Sequence, residues 1–250
     1  MDVATVFLLL AAGVAAGITG SIAGLASLFS YPALLAVGLP ATAANVTNTV
    51  AMTISSVGST LGSRPELTGQ SPVLRRYAVL ALIGGALGAG LLLVTPPGTF
   101  ELIVPVLVGG AALVLLLQPW IRPSADPARQ ASGPAVTAGI LAVTIYGGYF
   151  GAAAGVLMLA LLLVGLPVSL LQGNAIKNVL LGLSNAAAAI GFAVLAPVQW
   201  WAVVPLAVGL LAGSFTGPAL ARRVPTPILR SAIGLAGLGL AVALAVEAWG

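Results

Sequence analysis

Apolar runs, each about as long as a membrane-spanning helix, follow one another along this sequence, and only short connections separate them. Of the 250 residues, 60% are hydrophobic and 6% are charged. A helix needs roughly 20 apolar residues to cross the hydrocarbon core of a bilayer, so the chain is long enough for about eight apolar segments. The sequence therefore predicts an all-α polytopic membrane protein that lies in the lipid bilayer and has no separate soluble domain.

The residue types that are missing exclude several classes of function. The sequence has no cysteine and no histidine, which excludes disulfides, thiol chemistry and Cys/His metal sites. It also has no Ser/His pair, no HExxH motif and no intramembrane Asp pair, so we expect neither enzymatic activity nor a cofactor. The net charge of +4 comes mainly from arginines in the connections, which indicates membrane topology and not nucleic-acid binding.

The two halves of the sequence share one pattern. Each half begins with a glycine-interrupted apolar stretch that ends in Gly-Leu-Pro, at residues 38–40 and 165–167. A helix with polar residues along one face and two more apolar helices follow each Gly-Leu-Pro. We interpret this pattern as two repeats within a single transmembrane domain, residues 1–250. Repeat one is at about 1–120, the linker at about 121–133 and repeat two at about 134–250.

Segment boundaries follow from the apolar runs and the residues that interrupt them. Pro32, Gly38 and Pro40 are expected to break the chain after the first stretch, which follows Met1 and Asp2 without basic residues and is therefore not expected to be a cleavable signal peptide. The other expected helices are 41–61, 77–94, 102–117, 201–220 and 227–246. Small residues at Gly84, Gly88, Gly209 and Gly213 are expected at close helix–helix contacts.

The arginines indicate how the two repeats are related. If each repeat crosses the membrane four times, the arginines of the connections are divided between the two sides. If each glycine-rich stretch is instead a re-entrant hairpin, all of them fall on one face, which should be cytoplasmic. They are Arg64, Arg75, Arg76, Arg122, Arg129, Arg222, Arg223 and Arg230. We therefore predict two inverted-topology repeats with both termini outside the cell.

Lys177 is the only lysine of the chain and lies inside an apolar helix. A cation in the hydrocarbon region costs about 2.5–3.5 kcal/mol on insertion scales, so such a group usually faces a polar cavity or an ion path. Its helical neighbours Asn174 and Asn178 are amides, and no Asp or Glu lies inside any apolar segment. Two other interpretations are that Lys177 extends toward a membrane surface and that the asparagines, Asn185 above all, only join helices.

A second polar face is expected on the helix at 41–61, where Asn45, Asn48, Thr49, Met52, Ser56 and Ser59 recur at steps of three or four. Helix breaks are expected around 19–21 and 147–151. Free N–H groups and positive dipole ends at such breaks attract anions. The predicted substrate-binding residues are Lys177, Asn174, Asn178, Asn45, Asn48, Thr49, Gly20, Ser21, Gly148 and Gly151.

Four segments of the sequence resemble the sulfite exporter TauE/SafE family of bacterial membrane transporters. They are residues 31–40, 44–51, 148–155 and 174–178, the last together with Asn185, and the resemblance covers essentially the whole chain. It implies that a small sulfur-containing anion, such as sulfite or an organosulfonate, crosses the plasma (inner) membrane.

The sequence allows three functions at this point. We expect a carrier that works by alternating access between the repeats. An anion channel would need the same donors along an open path, and a non-transporting membrane scaffold would use the polar faces only for packing. Coupling to H⁺ through Lys177, coupling to Na⁺ held by carbonyl, Thr and Asn oxygens, and transport without a coupling ion all fit these residues.

Overall fold

A computed structural model describes residues 2–96, 98–121, 133–221, 235, 238–239, 241–246 and 248–249. Within this part of the chain the regular elements are all helices and there is no strand, so the prediction of an all-α protein is confirmed. Most of the expected linker, much of the helix expected at 227–246, and Arg122, Arg129, Arg222, Arg223 and Arg230 lie outside the described residues.

Ten helices follow one another in the part of the chain from residue 2 to residue 221 that the structure describes. They are α1 (Val3–Ala23), α2 (Ser27–Ala36), α3 (Ala41–Gly62), α4 (Arg64–Leu67), α5 (Ser71–Val94), α6 (Thr99–Ile121), α7 (Gly133–Tyr149), α8 (Ala154–Gly165), α9 (Leu170–Leu195) and α10 (Trp200–Ala221). Residues 241–246 are helical as well. The side chain of Asp2 begins α1 by accepting the N–H of Thr5 at 3.0 Å, and hydrogen bonding to Thr5 lowers the pKa of this carboxyl.

Helix length and composition indicate which of the helices could cross a membrane alone. Among the described residues, 4 helices are long and apolar enough to cross a membrane, and they lie in α1, α5, α9 and α10. At 22 residues, α3 has the length to cross but is much more polar, since Asn, Thr and Ser occupy its buried face. With 10 and 12 residues, α2 and α8 are too short to cross alone.

Two helices, α5 and α6, are longer than the sequence predicted. The sequence predicted a helix from 77, but α5 begins at Ser71 with a proline in its first turn, where a missing N–H costs no helical hydrogen bond. It therefore includes Arg75 and Arg76, both exposed. The guanidinium of Arg76 lies 5.3 Å from the centre of the Tyr77 ring. Likewise, α6 continues past the expected end at 117 to Ile121.

The first break lies later in the chain than predicted. Residues 19–21 are part of α1, where the Thr19 hydroxyl donates to Ala15 O at 2.7 Å, so the expected break at Gly20 is wrong. The helix ends where Gly24 adopts the left-handed conformation, with φ of 76°, and donates its N–H to Gly20 O. Pro32 also fails to break the chain, because α2 continues through it to Ala36.

The second break follows α7 at residues 150–153. Gly151 has φ of 77° and Ala153 has φ of 54°, so the chain turns between α7 and α8 through two left-handed residues. The two breaks touch each other, since a Cβ on Gly24 would lie 2.5 Å from the Cα of Gly155. A residue larger than glycine would therefore separate the two breaks at this contact.

Pairs of helices pack in a regular way around α3 and α9. The first helix of each half packs against a later helix of the other half, α1 against α10 and α7 against α5. In addition, α3 contacts α10, α9 contacts α5, and α3 and α9 contact each other. Gly209 and Gly213 lie against the backbone of α1, and Gly84 and Gly88 lie against α7. The predicted close contacts at these four glycines are confirmed.

Candidate functional site

A polar cavity lies where the two breaks meet the middle parts of α3 and α9. Its volume is about 60 Å³, which is room for several water molecules or for one small polyatomic ion. The residues that line it are Gly20, Ser21, Gly24, Ala26, Ser27, Asn48, Thr49, Met52, Ser55, Ser56, Ser59, Gly147, Phe150, Gly151, Ala154, Gly155, Lys177, Asn178, Leu181 and Asn185.

Lys177 is the single ionisable side chain in this lining. It is 1% exposed, and its Nζ donates to Gly20 O at 3.1 Å, so the side chain does not extend to a membrane surface in this structure. Gly20 lies in the last turn of α1, whose carbonyl groups form the negative end of the helix dipole. The ammonium therefore has a favourable partner, although no carboxylate lines the cavity with it.

Two asparagines of α9 bind the same end of α1. Asn174 Nδ2 donates to Ser21 O at 2.5 Å, and Asn178 Nδ2 donates to this oxygen at 3.4 Å. Carbonyl groups in the last turn of a helix have no acceptor role within that helix. The two amides thus supply donors to Ser21 O, and Lys177 adds a second donor to Gly20 O, which already accepts the N–H of Gly24.

An asparagine of α3 binds the C-terminal end of α7 in a similar way. Asn45 Nδ2 donates to Tyr149 O, the last residue of α7, at 2.9 Å. One turn later, Asn48 Nδ2 donates to Ser27 Oγ at 3.3 Å. The side-chain oxygens of Asn45 and Asn48 are both buried and have no hydrogen-bond partner. This end of α7 therefore receives an amide but no ammonium from α3.

Two helix N-termini also reach the cavity. Ala26 and Ser27 at the start of α2, and Ala154 and Gly155 at the start of α8, are part of its lining. The first N–H groups of a helix have no acceptor within the helix and lie at the positive end of its dipole. The cavity thus has two positive helix ends and an ammonium, which suits an anion.

Most of the predicted substrate-binding residues come together here. Seven line the cavity: Lys177, Asn178, Asn48, Thr49, Gly20, Ser21 and Gly151. Asn45 and Asn174 are outside the lining and instead hold the ends of α7 and α1. Gly148 is also outside, because it packs against the backbone of Gly85 in α5.

Several residues that line the cavity were not among the predicted substrate-binding residues. Ser55 follows Met52 by three positions on the polar face of α3, so the helical spacing of that face could have found it. Asn185, interpreted from the sequence as a helix-joining residue, does line the cavity. Ser27 gave no sequence signal, since only the position of the first break brings it beside Asn48.

Aromatic side chains close part of the cavity wall. Phe150 lines the cavity and packs edge-on against Tyr31, with ring centres 5.4 Å apart, and against Phe100 at 5.9 Å. All three side chains are buried. A second, larger hollow lies between α2, the start of α6 and residues Ala243, Leu244 and Ala248, with Glu101 in its lining. It is mostly apolar and has no buried cation.

Comparison with known proteins gives one match. The family model described as Sulfite exporter TauE/SafE matches residues 9–244. The chain belongs to the sulfite exporter TauE/SafE family. No curated protein and no solved structure matches it.

Membership of the TauE/SafE family confirms the resemblance seen in the sequence and implies a membrane transporter. A transporter family with these apolar helices indicates a multi-pass membrane protein. It is also consistent with the expectation that the chain is not an enzyme. The matched residues include both breaks and both polar helices, so the cavity lies entirely within the part of the chain that defines the family.

Proposed function

We propose that this chain carries a small oxyanion of sulfur, sulfite or an organosulfonate, across the plasma (inner) membrane by alternating access between two inverted repeats. The observation that carries this proposal is Lys177, a buried cation in the wall of a polar cavity that has no carboxylate in its lining. A buried charge without a compensating charge is costly. An anion in the cavity would supply that compensation.

The donors around Lys177 suit an oxyanion. An ammonium group has three donor positions, and Gly20 O takes one of them. The others are available to a ligand, together with the hydroxyl group of Ser55 in the lining. The hydroxyl groups of Ser56 and Ser59 also line the cavity, but they donate to backbone carbonyls of α3. An anion with three or four oxygens needs several donors at once, and charged donors make the strongest hydrogen bonds.

The helix packing supports the inverted relation of the repeats. The pair α1 and α10 corresponds to the pair α7 and α5, in which the first helix of one half packs against a later helix of the other half. Both breaks lie at the cavity, between the halves. Inverted-repeat transporters bind their substrates in this place, where broken helices from both repeats meet near the middle of the membrane.

The described arginines support the proposed orientation. Arg64, Arg75 and Arg76 are all exposed and lie on α4 and at the start of α5. The corresponding connection of the second half, between α9 and α10, has no charged residue in 196–199. Under the positive-inside rule, the connection around α4 is cytoplasmic and the connection between α9 and α10 is outside.

Thermal stability of the purified protein tests the substrate and the site together. Sulfite, sulfoacetate, sulfate, nitrate and chloride are compared at fixed ionic strength, in the wild type and in Lys177→Met. A ligand that binds only the folded protein raises its stability as the site fills. We expect one sulfur oxyanion to raise the Tm of the wild type selectively, and this rise to disappear in Lys177→Met. An equal rise in both proteins would contradict the assignment of Lys177.

A matched variant shows whether the effect is specific to the charge at Lys177. Asn185→Ala removes another polar side chain of the same helix and lining but leaves the ammonium in place. We expect it to keep most of the anion-dependent rise in Tm. A complete loss in Asn185→Ala would show that any change in the lining abolishes the effect.

A further inference from the structure

The end of α7 lacks the positive charge that the end of α1 receives. At the end of α1, Asn174 binds Ser21 O and Lys177, three residues later in α9, binds Gly20 O. At the end of α7, Asn45 binds Tyr149 O, but three residues later α3 has Asn48 in place of a lysine. Asn48 therefore occupies the position that corresponds to Lys177.

Unpaired oxygens are concentrated beside this end of α7. Asn48 is 2% exposed, lines the cavity, and has a side-chain oxygen with no partner. The side-chain oxygen of Asn45, one turn earlier on the same helix, is also buried without a partner. A buried acceptor without a donor is costly, and an ion or a water commonly satisfies such a group. Asn174 also has an unpaired oxygen, but there Lys177 already provides a cation.

The other groups at this position are oxygens as well. Gly147, in the last turn of α7, lines the cavity. In this turn Tyr146 O already accepts the N–H groups of Phe150 and Gly151, and Tyr149 O accepts the amide of Asn45, so the carbonyl offered to a ligand in the cavity is that of Gly147. Ser27 Oγ accepts the amide N–H of Asn48 at the positive start of α2, so it is not part of the cation site. Neutral amide and carbonyl oxygens suit a hard cation, and the C-terminal end of a broken helix favours positive charge.

The type of ligand at this site indicates the charge of the ion that fits it. No group of three or more His, Cys, Asp or Glu residues that could hold a metal ion occurs among the described residues. Calcium sites normally include several carboxylates, and magnesium sites normally include at least one. A site made only of neutral oxygens therefore favours a monovalent ion.

We propose that a sodium ion binds beside the C-terminal end of α7, held by the side-chain oxygens of Asn48 and Asn45 and by the carbonyl group of Gly147. The sodium ion takes the place at the end of α7 that the Lys177 ammonium takes at the end of α1. The site itself stands on these contacts alone. Its role as the coupling ion for the anion in the same cavity rests on the proposed function.

Sodium-dependent stability of the purified protein tests this site. The Tm is measured in sodium chloride and in choline chloride at equal concentration, with no sulfur oxyanion present. For the wild type we expect sodium to raise the Tm by roughly 2–4 °C, the shift for about 1 kcal/mol in a chain of this size. An equal Tm in sodium and choline would overturn the proposal.

Three variants separate the site from general salt effects. Asn48→Leu should lose the sodium-dependent rise, because it removes a ligand. Asn48→Lys should also lose it while remaining folded in choline, because its ammonium replaces the ion. Asn174→Ala changes the corresponding end of α1 and should keep the full rise. A full rise in Asn48→Leu or Asn48→Lys, or its loss in Asn174→Ala, would contradict the position of the site.

Sodium binding to the wild type and the anion effect in choline are measured as well. If neither Asn48 variant folds, equilibrium binding of radioactive sodium to the wild type decides the matter: saturation near one ion per chain supports the site, and no saturable binding overturns it. The anion-dependent rise in Tm is measured separately in choline. If sodium raises the Tm but no sulfur oxyanion does, the transport proposal is contradicted and the cation site stands. If a sulfur oxyanion raises the Tm but sodium does not, the cation site is contradicted and the transport proposal stands.

Discussion

At the scale of single residues, Asn45 and Asn174 hold the ends of two broken helices from opposite halves of the chain. Each side-chain amide donates to a backbone carbonyl in the last turn of its helix, Asn45 to Tyr149 O and Asn174 to Ser21 O. The two contacts differ in one respect. Ser21 O has a second donor, Asn178 Nδ2, at 3.4 Å, whereas Asn45 is the donor described for Tyr149 O.

This difference predicts unequal effects of two similar substitutions. We expect Asn45→Ala to lower the Tm by about 2–4 °C and Asn174→Ala to lower it by less, since interhelical hydrogen bonds in membranes contribute about 0.6 kcal/mol on average and up to about 1.7 kcal/mol. Thermal unfolding in detergent and choline measures both. Thr137→Val, at a half-buried position whose hydroxyl bonds only within α7, is the control and should change the Tm little. A larger loss of Tm in Asn174→Ala than in Asn45→Ala would contradict the idea that Asn178 continues to donate to Ser21 O when Asn174 is removed.

The sequence identified Lys177, but it did not identify what Lys177 touches. A lone lysine between amides in an apolar helix indicates a polar cavity, and the structure provides one. Its partner, Gly20 O, is 157 positions away in the chain. Helical spacing relates residues of one helix, so no pattern in α9 could predict a contact with the end of α1.

At the scale of helices, glycines decide how closely α5 approaches α7. A Cβ on Gly88 would overlap the carbonyl oxygen of Ile145 and lie 2.7 Å from the N of Tyr149. Gly90, two positions later in α5, has no atom within 4 Å of the same added atom. The two positions share a helix and a residue type but differ in their neighbours.

This pair gives a controlled test of helix packing. We expect Gly88→Ala to destabilise the protein by roughly 1–3 kcal/mol, because overpacking a close contact forces the backbones apart. Gly90→Ala should be neutral or stabilising by up to about 1 kcal/mol, because alanine has the higher helix propensity. Thermal unfolding of the two variants beside the wild type measures the difference. Equal effects would show that α5 and α7 are not in close contact at Gly88.

The sequence predicted the helices better than their breaks. Long apolar runs and the Gly-Leu-Pro motifs placed α3, α6 and α10 nearly where they lie. Glycine alone did not place the first break, since Gly20 is helical and Gly24 is left-handed. A helix tolerates a single glycine at a cost of about 1 kcal/mol, so the end of α1 depends on its contacts with Gly155 and α9, which the sequence does not show.

At the scale of the whole molecule, the proposed inversion of the repeats determines which connections share a side of the membrane. The connection between α3 and α5 and the connection between α9 and α10 occupy corresponding places in the two halves. Inverted repeats put them on opposite sides, and parallel repeats put them on the same side. The chain has no cysteine, so a single introduced cysteine reports its own position.

Thiol labelling in intact cells tests the inversion. Thr68 and Pro197 are both exposed positions in these connections. We expect a membrane-impermeant reagent to label Pro197→Cys in intact cells and to label Thr68→Cys only after the membrane is permeabilised, since the arginine-rich connection is expected in the cytoplasm. Labelling of both variants from the same side would contradict inverted repeats. The cysteine-free parent protein is the control for background labelling.

Transport itself shows whether the cavity around Lys177 carries a sulfur oxyanion by alternating access. Sulfite flux into proteoliposomes is measured with and without sulfite loaded inside, for the wild type and Lys177→Met. We expect saturable flux that internal sulfite accelerates, no unitary currents, and at least a tenfold loss of flux in folded Lys177→Met, equivalent to about 1.4 kcal/mol or more. Unchanged flux in Lys177→Met would contradict the site, and unitary currents without counterflow would show a channel in place of a carrier.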